Sequence, residues 1–354
     1  MENCLLCKNA PADKTNSHII PFFLIKTLVN EEGKTGRDKE VSFQIGSDNT
    51  DVYFGRSVST DAINETLGRD LTEEDIEKNI NHYTQDNFLC SNCEKRLSYL
   101  ESYYSKKGEI NNLSKGLVTN EVEVNLSFLF WASILWRISI TDFPGPKLNL
   151  KEEKKLRNIL NSCLGNSIEE TKEKTQQNIL LLKGFQTIIL FDPNGGNPTE
   201  KVCLAHPFHR FPYSLIINDY VVFFYFKSSH FNSLKQSLWG YEKYQVKENL
   251  NSIYQNNEAV FIVSEEETKQ ARRNIMDFKA EERISKLDKV ITKTVLRFFP
   301  QLPSNTLKLI ILDTRRQLAE NKSFSSLKFK YNDLTEPLFK SITKYLGDNL
   351  MVKL

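Results

Sequence analysis

Leu89-Cys90-Ser91-Asn92-Cys93-Glu94 decides how the first third of this 354-residue chain is read. It repeats the spacing of an earlier clip, Cys4-Leu5-Leu6-Cys7. A Cys-x-x-Cys clip lets two thiolates reach one ion from a single tight turn, and two clips supply the four sulfur ligands of a closed zinc site. The two clips predict different local structure. After Cys90, the residues Leu97, Leu100 and Tyr104 recur at helical spacing and Gly108 follows as a stop, so Cys90 to Lys107 reads as a helix. Cys90 and Cys93 then sit at its N-terminus, where unpaired N–H groups and the helix dipole favour thiolate. Cys4 to Cys7 reads as a knuckle-like turn. One knuckle and one helix N-terminus around a single ion is a treble-clef arrangement, and its zinc is a source of folding energy rather than chemistry.

Composition agrees with metal binding. Six cysteines, four of them in close clips, point to a reducing compartment rather than a disulfide framework. Residues 1–10 lack a basic region followed by an apolar one, so no secretory signal is expected there. The longest apolar stretch, Leu126 to Ile140, is short for a bilayer and carries Arg137, which predicts a buried helix and no membrane association. A cytoplasmic protein is the expectation. The formal charge of +2 hides an asymmetry: from Lys269 onward there are 18 basic and 9 acidic residues. That segment suits contact with a phosphate backbone, or is a set of solvated helix faces.

Between the clips lies Ser17-His18-Ile19-Ile20-Pro21. The order Cys4-x-x-Cys7, Ser17-His18-Ile19-Ile20-Pro21, Cys90-x-x-Cys93 resembles the HNH group of ββα-metal nucleases, which often write the middle motif as Asp-His-Ile-Ile-Pro. The resemblance implies that His18 is the general base activating water, with a divalent ion, Mg2+ or Mn2+, stabilising the scissile phosphate. Three positions depart from the pattern. Ser17 stands where that group has an aspartate, Glu94 follows the second clip in place of Asn or His, and the middle asparagine falls on Asn87, with His82 as the alternative. A closer similarity is to uncharacterised bacterial proteins with Ser-His-Ile-Ile-Pro, Leu-Cys-x-x-Cys-Glu, a second glutamate on the same helix, and an apolar helix ending in Trp-Arg. Here these are Leu89 to Glu94, Glu101 and Trp136-Arg137. This resemblance covers residues 1–140. Glu94 and Glu101 are seven apart and share one helical face, so both are candidate ligands replacing the aspartate.

The expected fold is α+β. Residues 1–108 form a zinc-bound treble-clef ββα-metal domain of HNH-like nuclease type. Residues 109–354 form a larger mixed α/β domain that recognises nucleic acid or a partner and ends in basic helices. In the first part, Val41 to Ile45 and Val52 to Phe54 read as strands, and Arg37 and Arg56 are candidate nucleic-acid contacts. His18 to Leu28 is ambiguous between strand and helix. In the second, Asn125 to Ser139 reads as a core helix, and Ile216 to Val222 as a hairpin with Asn218-Asp219 at its tip. Cys203-x-x-His206-x-x-His209 has ligand types without an evident fourth member, and reads better as a loop.

Two functions from different classes follow. One is a metal-dependent endonuclease acting on DNA, less favourably RNA, as the effector of an antiviral defence system. It would be switched on by nucleic acid or by a protein partner such as a short Argonaute. The other is a non-catalytic zinc module that binds nucleic acid or protein, a reading favoured by Ser17 in place of aspartate. Oligomerisation is left open by the sequence.

Overall fold

The computed structural model describes residues 2–29, 41–45, 50–55, 58–77, 79, 81, 83–110, 115–143, 145–193, 204–205, 212–232, 238–320 and 331–347. In chain order the elements are β1 (Ser17–His18), α1 (Phe22–Val29), β2 (Val41–Ile45), β3 (Thr50–Phe54), α2 (Thr60–Leu67), α3 (Glu73–Glu77), β4 (Thr84–Gln85), α4 (Ser91–Lys107), β5 (Gly116–Glu123), α5 (Val124–Ile140), α6 (Leu150–Cys163) and α7 (Ile168–Gln177). There follow β6 (Gln186–Phe191), β7 (Leu204–Ala205), β8 (Tyr213–Ile217), β9 (Tyr220–Tyr225), β10 (Asn257–Ile262), α8 (Glu265–Phe298), α9 (Ser304–Glu320) and α10 (Thr335–Leu346). The mixture of helices and strands is the expected α+β class.

Most of the predicted elements form. Helix α4 starts at Cys90, whose sulfur accepts the Cys93 N–H, and stops at Gly108. The reason for glycine there is packing, since its φ is −80°. A Cβ at Gly108 would stand 2.8 Å from the Tyr104 carbonyl oxygen and 2.9 Å from the Tyr104 ring. The ambiguous stretch after His18 resolves by length. The strand is two residues, and Pro21 then precedes α1, in keeping with proline's preference for helix starts. The β8–β9 hairpin closes with Ile217 opposite Tyr220, and Asn218 takes φ of 53°, a conformation that asparagine tolerates better than most residues.

The compact units divide elsewhere than after residue 108. One unit is Met1–Ser42 with Tyr53–Arg272, the other Phe43–Val52 with Arg273–Leu354. The physical reason is α5. It is apolar on every side and buried from Leu126 to Ile138, and such a helix needs partners all round it. Cys4, Ile19, Ile20, Leu97 and Tyr104 supply part of that cover and belong to one core with Trp131, Phe224 and Val260. The chain before residue 109 therefore shares its core with the chain after it.

That unit contains a six-stranded sheet of order β5-β10-β6-β9-β8-β7, antiparallel except where β10 runs parallel to β6. Within its core lies a carboxyl group, Glu258 of β10, with no exposure. Tyr104 Oη donates to both its oxygens at 3.0 Å, Trp131 Nε1 donates at 3.4 Å, and Asn120 Nδ2 and Ser127 Oγ donate at closer range. Burial still pushes the Glu258 carboxyl above the ordinary range, against the pull of those donors. Glu258 thereby joins α4, β5, α5 and β10.

The second unit is built on helices. Leu287, Ile291 and Val295 recur every fourth position of α8 and form a core with Ile310 and Leu318 of α9 and Leu338 and Ile342 of α10. Asp313 is buried there between Lys344 and Arg316, each at 2.8 Å. Several members of the basic segment are paired within their own neighbourhood: Lys286 with Glu282, Arg315 with Asp288, Lys340 with Glu336. The first and last are i,i+4 pairs on a single helix, and the second joins α9 to α8.

Candidate metal centre and adjoining carboxylate site

The knuckle is held by its own backbone. Lys8 N–H donates to Cys4 O at 2.9 Å with Lys8 at φ of 62°, and Cys4 N–H donates to Ala10 O at 2.7 Å. Leu5 N–H to Phe88 O, 2.9 Å, and Lys14 N–H to Leu89 O, 3.1 Å, lay the knuckle against the residues that enter α4. As a result the four sulfurs of Cys4, Cys7, Cys90 and Cys93 lie within 4.8 Å of one another, close enough to hold a metal ion. Cys7 and Cys90 are 4.0 Å apart at sulfur, and none of the four is in a disulfide. An all-sulfur donor set fits zinc. The contact between Cys4 and Cys93 holds the Cys4 thiol down to about 4, and pushes that of Cys93 up. A cation shared by the four sulfurs favours thiolate at each.

Two arginines join this centre to α6. Arg96 Nη2 donates to Asn161 O and Leu164 O, both at 2.7 Å, and Arg157 Nη1 reaches Leu6 O of the knuckle at 3.4 Å. Neither arginine is signalled by a motif. Arg96 is detectable only as a cation one turn after a clip cysteine, on the face that must be buried.

Beside the sulfur cluster is a second polar site. Strand β1 pairs antiparallel with β4, Ser17 opposite Gln85 and His18 opposite Thr84, and Ile19 N–H continues the ribbon to Tyr83 O at 2.8 Å. Ser17 is fully buried and His18 half-buried, as the alternation of a strand requires. The His18 ring meets Phe22 edge-on at 6.2 Å. From α4 come Glu94 and Glu101, and from α5 comes Arg137, 1% exposed. Arg137 Nη1 is 2.8 Å from Glu101 Oε1 and donates to His18 O at 2.8 Å. Burial pushes the Glu94 carboxyl up. Arg137 opposes this, Glu101 adds to it, and the nearby Ser17 hydroxyl and Lys14 oppose it. Ser17 Oγ and Glu94 Oε2 are buried without a well-formed hydrogen bond, as is Glu101 Oε1 despite its charge contact.

The structure thus brings Glu94 and Glu101 together with Ser17 and Arg137, and ties the backbone carbonyl of His18, whose ring lies against Phe22, to the same guanidinium. Asn87 is exposed at φ of 57° in the turn between β4 and α4, and its N–H donates to Lys14 O at 2.8 Å. Its role there is in the backbone of the turn. Arg37, Arg56, His82 and the Cys203, His206, His209 set lie outside the described residues. Among the described residues, the four cysteines are the group of His, Cys, Asp or Glu side chains placed for a metal. His18, Glu94 and Glu101 do not make a second.

Comparison of the chain with protein-family models, with curated proteins and with solved structures finds no match. Among the described residues no helix is long and apolar enough to cross a membrane.

Proposed function

We propose that the protein is a metal-dependent endonuclease of the HNH kind, hydrolysing phosphodiester bonds in DNA, with RNA the lesser alternative. The observation that supports this most is one juxtaposition: the Ser17-His18 strand of a short antiparallel ribbon lies beside the Glu94-Glu101 face of the helix that begins with Cys90 and Cys93. The reading takes the ribbon, the helix and the two cysteine clips as a ββα, treble-clef arrangement, with Cys4, Cys7, Cys90 and Cys93 as the ligands of a structural zinc.

In this reading His18 takes a proton from the attacking water, since an imidazole changes charge near working pH. Glu94 and the Ser17 hydroxyl supply buried oxygens without well-formed hydrogen bonds, the donor type that suits Mg2+ or Mn2+. Such an ion supplies charge stabilisation at the phosphate. The rest of the chain recognises the activating nucleic acid or partner, as in an antiviral effector working with a short Argonaute. The test is cleavage of single- and double-stranded DNA and RNA with Mg2+ or Mn2+ by wild type and His18→Ala of equal zinc content. Cleavage lost in the variant supports the reading. Equal cleavage by both, or silence of both even with lysate of phage-infected cells, rejects it.

A second reading, a non-catalytic zinc module, is favoured by one contact. The Glu101 carboxylate already faces the buried Arg137 guanidinium, so part of the negative charge that would attract a metal is compensated. Nucleic-acid binding that survives in both proteins without cleavage selects it.

A further inference from the structure

We propose that Arg137 is the positioning residue of this site, fixing the backbone of His18 against the carboxylate face of α4. The inference rests on the nuclease reading for its functional meaning. Strand β1 is two residues long, so its own ladder to β4 holds it weakly. The His18 carbonyl instead receives a charge-assisted hydrogen bond from Arg137 Nη1, 2.8 Å away across 119 residues of chain. The same nitrogen is 2.8 Å from Glu101 Oε1, so one guanidinium refers β1 to α4.

The guanidinium is itself held. Arg137 Nε donates to Ser133 O and Nη2 to Ser133 Oγ, each at 3.3 Å, one turn back on α5. All three nitrogens are engaged, and α5 is buried along its length. A lysine could keep the charge but not these simultaneous directions, because its donors share a single nitrogen. The contact to His18 is through its backbone carbonyl.

The test uses the full chain with zinc, comparing wild type, Arg137→Lys and Glu101→Gln by two readouts. The first is hydrogen exchange at the Ile19 amide, which donates across the ribbon to Tyr83 O. Loss of the guanidinium's directed contacts in Arg137→Lys, and of its charged anchor on α4 in Glu101→Gln, is expected to speed that exchange about tenfold in each variant, with β8–β9 amides unchanged. The second is steady-state cleavage: kcat falls about tenfold and KM stays within about threefold, as for an interaction made in the transition state. Unchanged Ile19 protection in a folded, zinc-loaded variant overturns the proposal, as does a raised KM with unchanged kcat. If Arg137→Lys fails to fold, Glu101→Gln decides by the same criteria. If wild type cleaves no nucleic acid, the nuclease reading falls, and Ile19 exchange still decides whether Arg137 holds β1.

Discussion

Arg96 Nη1 stands 3.9 Å from Cys93 Sγ, one helical turn away, while its other nitrogens donate to the carbonyls that end α6. The sulfur cluster is therefore faced by a guanidinium that is itself anchored. Four thiolates around one Zn2+ would carry a net negative charge, which Arg96 would offset in a buried setting. Replacing Arg96 with Gln removes that charge and leaves two carbonyls short of donors. The expected result is zinc affinity weaker by about tenfold to a hundredfold, as for other outer partners of metal ligands. Competition with a chromophoric chelator measures it, and an unchanged affinity would show the contact to be incidental.

Stripping the metal tests how far the centre's influence extends. Cys4, Cys90 and Cys93 belong to the same core as Trp131 and Trp136. Structural zinc contributes on the order of 10 kcal/mol to a small domain. One zinc per chain is expected, and its removal at neutral pH should abolish the near-ultraviolet circular dichroism of the buried tryptophans. If only the first hundred residues lose protection from exchange while that signal persists, the shared core is not a cooperative unit.

Glu258 makes stability depend on pH. Its folded carboxyl is held above the ordinary range, chiefly by burial. A raised carboxyl contributes stability that is complete below its unfolded pKa and is lost as pH rises through the folded one. Glu258→Gln cannot ionise. The variant should be less stable than wild type at pH 4 by about 1–3 kcal/mol, through imperfect replacement of the buried hydrogen bonds. The deficit should shrink or reverse by pH 8. Urea unfolding of both proteins at the two pH values gives the difference, and a deficit independent of pH would mean that Glu258 does not titrate differently on folding.

Gly108→Ala probes the close approach at the end of α4. The added methyl meets the Tyr104 ring, whose hydroxyl donates to Glu258. Overpacking of this kind costs about 1–3 kcal/mol. A helix end limited only by backbone preference would lose much less, since φ at Gly108 is accessible to alanine. Thermal or urea unfolding separates the two.

What was legible in the sequence is what local chemistry controls. Helix α4 announces itself by its cap cysteine, its leucine spacing and Gly108, and the β8–β9 hairpin by the Asn218-Asp219 tip. The sulfur cluster was legible because Cys-x-x-Cys carries its own geometry. The core shared across residue 108 was not, because Gly108 reads as the stop of a helix and so as the end of a unit. Only the demand of α5 for cover on every side shows that the chain before it belongs to the same core. Arg137 stood out as a charge in an apolar helix, and a buried charge requires a partner. That the partners are Glu101 and the His18 carbonyl follows from folding alone. Glu258 gives no signal, since a glutamate near the start of a strand is ordinary until three other elements close over it.

The hydrogen bonds from Tyr104 to Glu258 span 154 residues of chain. During synthesis the cysteine clips and α4 leave the ribosome long before β10 exists. The core they share with the sheet cannot close until the chain has been made past residue 258. Throughout that interval α5, buried from Leu126 to Ile138 in the finished fold, lacks its final cover. Such long-range closure is slow relative to local helix formation. A newly made chain of this protein is thus most vulnerable in the period after its four clip cysteines are complete and before its last central strand arrives.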